Sequence, residues 1–219
     1  MNSPFISLLV LAGIAIFLIL RLRNVLGTRD GFEKPPVIQP ERRADTRRDF
    51  EVIEGGPDRD ITDHVEDGSD AAKALAAMKL AEHGFSVSEF LGGARGAYEM
   101  ILMAFEKGDV EQLRPFLAED VLETFETVIA QREEQGLSID ASFVGIRELT
   151  LQGASFDRGT STAEISVRFV AELTSVVRNS DGEVVEGDPT EIKRQRDIWT
   201  FGRDMGSSNP NWVLVATGG

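Results

Sequence analysis

Residues 162–178 read TAEISVRFVAELTSVVR, and the alternation in this stretch decides the architecture. Ala163, Ile165, Val167, Phe169, Ala171 and Leu173 share one parity, with Glu164, Ser166, Arg168 and Thr174 on the other. A period of two marks a strand with one face on a core, because successive side chains point to opposite faces of a sheet. Further strands are expected near 142–155, 190–203 and 211–217, separated by turn-forming residues at Asp157–Gly159, Asp181–Gly182 and Ser207–Pro210.

Upstream of the strands the period changes to that of helices. AAKALAAMKLAEH at 71–83 is rich in strong helix formers and stops before Gly84, which predicts a helix over roughly 70–83 with a thin apolar stripe at Leu75 and Met78. Ser86 with Glu89 three residues on forms a capping box, flanked by Phe85 and Phe90 at staple positions. Phe90, Ala94, Ala97, Ile101 and Phe105 then recur on one helical face until Gly108. Gly92 and Gly96 within it suggest close packing against a sheet or a neighbouring helix. Asp109 with Gln112 predicts a short helix through Leu117, and Asp120 with Glu123 another, carrying Leu122, Phe125 and Ile129 up to Gly136. Helices first and an antiparallel meander after them define an α+β domain over 70–219.

Residues 5–20, FISLLVLAGIAIFLIL, carry no charge and a single polar side chain, Ser7. Such a run, represented by Phe5, Leu9, Ile14, Phe17 and Leu20, predicts a transmembrane helix over 1–26 that contacts membrane lipid. It is short for a hydrocarbon core of about 30 Å, and the snorkelling stems of Arg21 and Arg23 extend its reach. A cleaved signal peptide would place positive charge before the run and small residues after it. Here the arginines follow immediately, so the positive-inside rule puts the C-terminal domain in the cytoplasm of a single-pass inner (cytoplasmic) membrane protein. Residues 27–69, which include GFEKPPVIQPERRADTRRDFEVIEGGPDRD, hold four prolines and opposed charges without apolar periodicity. A disordered charged linker is expected there, with ERRADTRR at 41–48 as a local basic patch.

The formal net charge is −14, made of +2 over residues 1–26, −6 over 27–70 and −10 over 71–219. An acidic domain repels phosphate backbones, so no nucleic acid partner is expected, and the charge serves solubility or draws basic partners. Without cysteine there is neither a disulfide framework nor a thiolate metal site. His64 and His83, nineteen positions apart, do not have the spacing of a zinc site, so no metal or cofactor is expected.

GAYEMILMAFEKGD at 96–109, VRFVAE at 167–172, DIWTFGRD at 197–204 and NPNWVLVATGG at 209–219 together resemble the Tim-forty-four-like domain family, most closely its bacterial TimA branch. The resemblance covers about 85–219, and an N-terminal anchor with a polar linker matches that bacterial architecture. It implies a cone-shaped, nuclear transport factor two-like fold in which helices cover a curved antiparallel sheet and leave an apolar pocket. The mitochondrial relatives are adaptors that recruit a chaperone to an import channel. This sequence differs in carrying its own anchor and in lacking their long basic helical N-terminal region.

By that resemblance the expected role is a membrane-anchored, non-enzymatic adaptor binding protein partners such as translocase or chaperone components. The alternative is a binder of an apolar small molecule or lipid. Phe105, Phe116, Phe125, Phe169, Trp199 and Trp212 are the candidate pocket aromatics, although aromatics at such positions also build cores. Enzymes on the same cone fold, such as ketosteroid isomerase, use a pocket carboxylate and an oxyanion donor. The candidate acids here, Glu164, Glu172 and Asp197, are read as lying on the polar parity or at strand ends, which argues against catalysis. If the anchor reading holds, carbonate-washed membranes retain the full-length protein; recovery in the soluble fraction would refute it.

Overall fold

The computed structural model describes residues 58–218. The expected transmembrane residues Phe5, Leu9, Ile14, Phe17 and Leu20, their flanking Arg21 and Arg23, and linker positions 27–57 lie outside the described residues. Among the described residues no helix is long and apolar enough to cross a membrane.

Four strands form one curved antiparallel sheet in chain order: β1 (Ser138–Asp157), β2 (Thr162–Arg178), β3 (Val184–Asp204) and β4 (Val213–Gly218). The parity read in β2 holds in three dimensions. Ala163, Ile165, Val167, Phe169 and Ala171 are wholly buried on the inner face. Register shifts at Phe143/Gly145, Ile146/Glu148 and Leu151/Gly153 bend β1, and bulges of this kind curl a sheet around what it covers. β1 and β3 run longer than the sequence suggests. β3 begins at Val184 because the Asn179–Glu183 turn closes tightly, with Asn179 Oδ1 accepting from the Asp181 and Glu183 amides. Residues 184–189 lie ahead of the strand expected near 190–203. Pairing with β2 carries them as a strand, with Gly187 at φ 84° where an added Cβ would meet the Ser175 carbonyl oxygen at 2.1 Å.

The inner face is covered by α2 (Asp70–Ala81) and α3 (Val87–Lys107), which follow a short α1 (Arg59–Thr62). α2 buries Ala72, Leu75, Ala77 and Met78. α3 buries a broader stripe than expected, adding Val87, Leu91, Tyr98 and Leu102 to Phe90, Ala94 and Ile101, while Ala97 and Phe105 are partly buried. It ends at Gly108, whose φ of 73° is the left-handed cap that only glycine adopts without strain. Gly92 and Gly96 do not make the close packing expected of them: both are exposed, and a Cβ on either would have nothing within 4 Å. After α4 (Val110–Leu113) and a 3-10 turn at Arg114–Phe116, α5 (Glu119–Glu134) starts two residues earlier than predicted. Its N-cap is Ala118 rather than Asp120, because the Ala118 amide donates to Leu214 O of β4 at 2.9 Å and fixes the chain there.

The expected linker does not run to residue 69. Residues 58–62 belong to the fold, with Ile61 buried in the core. The signal was Asp58 and Asp60 just ahead of an isolated apolar residue, Ile61. Asp60 accepts from the Val87 and Ser88 amides at 2.8 and 2.9 Å and from the Ser86 hydroxyl at 3.2 Å, so an acid from α1 holds the positive end of α3. Ser86 supplies its own half of the cap, accepting from the Glu89 amide at 3.3 Å. Lys79 stands 2.7 Å from both Asp58 and Asp60. Burial works to raise the Asp60 pKa, but the bonds from Lys79, Ser88 and Val87 outweigh it and hold the carboxyl well below the usual range.

Asp60→Ala strips acceptors from two helix-terminal amides and should lower stability at neutral pH by about 1–3 kcal/mol. A carboxyl whose folded pKa is depressed contributes above its unfolded pKa and loses that contribution as pH falls through the folded value. Denaturant midpoints of wild type and variant should therefore converge only in strong acid; equal midpoints at pH 7 would refute the role.

Candidate functional site

Two clusters lie along α3. Near its N-terminus, Phe85, Phe90 and Trp212 gather because Phe85 precedes the cap, Phe90 turns inward one helical turn later, and Trp212 comes from the irregular stretch before β4. Trp212 meets Phe90 edge-on at 4.7 Å and Phe85 at 5.9 Å, and Phe90 meets Phe201 of β3 at 6.0 Å. With Ala94, Ala97 and Phe116 they wall a groove of about 330 Å³.

Its polar end is Arg203, on the inner parity of β3. The guanidinium donates through Nη2 to Glu82 Oε2 at 2.5 Å and lies 5.9 Å from the Trp212 ring centroid. Glu82 also accepts from the Gly206 amide at 3.0 Å. The Arg203 bond first, and that amide second, hold the Glu82 carboxyl below its ordinary range. Arg203 Nε is buried and has no hydrogen-bond partner.

The second cluster centres on Tyr98, which is fully buried. Its ring stacks on Phe169 at 4.3 Å with 15° between planes and meets Trp199 at 4.5 Å. Its hydroxyl donates to Asp197 Oδ2 at 2.5 Å. Burial, followed by the Asp197 charge and bond, pushes the phenol far above its ordinary value. Burial also raises the Asp197 carboxyl, outweighing the bonds from Tyr98 and Gln195. Asp197 is therefore not on the polar parity but half-buried on the inner face, against the core residue Tyr98. It shares the inner parity of Trp199, Phe201 and Arg203, an alternation visible in DIWTFGR had it been carried two residues upstream. Glu172 and Glu164 do lie on the outer parity of β2. Glu172 is nevertheless buried there, accepting from Arg147 at 2.6 Å and Arg194 at 3.0 Å, while Glu164 is exposed.

The six candidate aromatics separate into three places. Phe116 and Trp212 line the groove. Phe169 and Trp199 sit in the core against Tyr98. Phe105 and Phe125 pair at 4.6 Å between α3 and α5, where Arg132 caps the Phe105 ring at 4.1 Å. The groove's other members, Phe85, Phe90, Phe201, Glu82 and Arg203, were not among the candidates. Only the staple positions of Phe85 and Phe90 pointed to them.

Helices over the concave face of an antiparallel sheet, with an aromatic groove at one end, define an α+β domain. A family model described as Tim44-like domain matches residues 71–219, and the chain belongs to that family. It is similar to the probable mitochondrial import inner membrane translocase subunit tin-44 of Caenorhabditis elegans, 30% identical over 119 residues, covering 52% of this chain and 27% of that protein. The human mitochondrial import inner membrane translocase subunit TIM44 is also 30% identical, over 118 residues, with 52% and 25% covered. The chain thus spans about a quarter of the length of these relatives. Among solved structures, the intermembrane space region of chloroplast protein ARC6 matches with a TM-score of 0.38 and 12% identity, over 60% of this chain and 92% of that one.

The raised Asp197 pKa sets a measurable sign. A carboxyl whose folded pKa is raised stabilises the fold below its unfolded pKa, and that contribution is lost as pH rises through the folded value. Asp197→Asn keeps an oxygen for the Tyr98 hydroxyl and carries no charge. Its melting temperature should exceed that of wild type at pH 7, with the gap closing near pH 3; a variant less stable at pH 7 would refute this.

Proposed function

We propose that this protein is a non-enzymatic adaptor of protein translocation, of the bacterial TimA type, that holds its Tim44-like domain beside the inner (cytoplasmic) membrane. Residues 1–26 serve as the anchor, with Phe5, Leu9, Ile14, Phe17 and Leu20 in lipid and Arg21 and Arg23 at the cytoplasmic boundary. Residues 27–57 are the spacer, and the domain begins with α1.

The observation that carries the reading is the aromatic groove at Phe85, Phe90 and Trp212. Aromatic side chains around a concavity supply large contact area at low entropic cost, which is what a protein-docking site needs. Membership of a family whose relatives are translocase subunits supplies the context. The chemistry of the second cluster points the same way. The Tyr98 hydroxyl is spent on Asp197, and its ring is enclosed by Phe169 and Trp199, so that hydroxyl is not free to stabilise a developing negative charge.

A second reading, a binder of an apolar small molecule or lipid, draws on the apolar walls of the same groove. Crosslinking in intact cells followed by affinity capture of the full-length protein should recover specific membrane protein partners. Repeated capture of none, together with a copurifying small molecule in native mass spectrometry, would favour the second reading instead.

A further inference from the structure

Arg203 presents a problem of hydrogen-bond accounting. Its side chain is more than nine-tenths buried, one end of the guanidinium is paired with Glu82, and Nε–H has no acceptor. Among the described residues it is the one buried side-chain nitrogen or oxygen left in that condition. An unmet buried donor costs desolvation energy that nothing returns, and such groups in native proteins call for an explanation. This donor belongs to a residue lining the aromatic groove.

We propose that the groove seats a main-chain segment of a partner protein: a bulky apolar side chain lies against Phe90 and Trp212, and an uncharged peptide carbonyl accepts from Arg203 Nε–H. This deepens the adaptor reading and rests on it. Three features select that occupant. The walls are apolar, so the ligand's body is apolar. The charge of Arg203 is already neutralised by Glu82, and Glu89 stands on the rim, so a carboxylate or phosphate would enter beside two like charges. A neutral acceptor meets the orphaned donor without that repulsion. About 330 Å³ also lies at the small end of ligand sites, suited to one large side chain with its flanking peptide units rather than to a branched lipid.

Nε is closed to solvent, and the Trp212 ring lies 5.9 Å from the guanidinium carbon. Admission of a carbonyl therefore requires a neighbouring side chain to shift, and we assign that movement to Trp212. The ring stands on the irregular 207–212 stretch, outside any strand or helix, and is itself only partly buried. The larger hollow near the β1–β2 turn, about 730 Å³, is walled by polar turn residues such as Asp157 and Thr160 and holds no unmet buried donor.

Gly93 supplies a clean test. It lines the groove on α3, and a Cβ there would meet nothing within 4 Å, so Gly93→Leu grows into the groove without a backbone clash. Replacing a mid-helix glycine also favours the helix. Full-length protein labelled with ¹⁵N is titrated with a blocked acetyl-leucyl-phenylalanine amide, with octanoate and with phosphatidylglycerol vesicles, reading the Trp212 indole and Arg203 Nε–H resonances.

The dipeptide amide should shift both signals saturably. Binding should fall about tenfold in Arg203→Lys, which keeps the cation for Glu82 but lacks Nε–H. It should vanish in Gly93→Leu, whose melting temperature stays at or above wild type. Groove signals that respond to octanoate or vesicles but not to the dipeptide overturn the proposal, as does dipeptide binding that Gly93→Leu leaves intact. If crosslinked partners are still recovered with Gly93→Leu, the groove seat is wrong and the adaptor reading stands; if wild type recovers none, the adaptor reading itself fails.

Discussion

Tyr98 has no exposed surface, so every polar and apolar demand of its side chain is met inside the protein. Its ring lies flat on Phe169 of β2 and against Trp199 of β3, and its hydroxyl reaches Asp197 at 2.5 Å. One residue of α3 thus joins the two central strands. A buried hydroxyl without a partner would cost a few kcal/mol, which restricts α3 to positions where Tyr98 meets Asp197. The lateral position of the helix on the sheet follows from that bond, and the placement of everything else along α3 follows from the helix.

The N-terminal end of α3 illustrates the consequence. Once Tyr98 is seated, Ala94 and Phe90 lie one and two turns earlier along the inner face, opposite Phe201 and Arg203 of β3. Trp212 arrives from the chain between β3 and β4, and the groove closes around the three aromatics. Asp60 holds the same helix end from the other side through the Val87 and Ser88 amides. The groove is therefore built on a helix fixed at both a core residue and a cap. Support of this kind lowers the entropy lost when a partner binds.

Much of this fold was legible because it rests on local chemistry. Ser86 caps α3, Gly108 ends it in the left-handed conformation and Asp109 caps α4, each where side-chain hydrogen bonding or φ alone settles the matter. Three of the misreadings share a different cause. Asp120 had the right residue type for a cap, but the Ala118 amide is bound to β4, ninety-six positions later in the chain. Val184–Pro189 has the composition of a loop, and β2 makes it a strand. Asp60 resembled linker charge, yet it caps a helix twenty-seven residues away. In these three cases a long-range partner overrode a correct local preference.

The amino-acid sequence by itself determined the α+β class, the order of helices and strands, the inner parity of β2 and the family resemblance, since periodicity, capping and glycine placement act over a few residues. Only the tertiary structure decided which aromatics meet and which buried polar groups find partners. Phe85, Phe90 and Trp212 form one wall although more than a hundred residues separate the first two from the third, and Asp197 meets the Tyr98 hydroxyl ninety-nine positions away in the chain. The orphaned Nε of Arg203 belongs to the same category: whether a donor is satisfied depends on every surrounding segment at once, and no window of sequence contains them all.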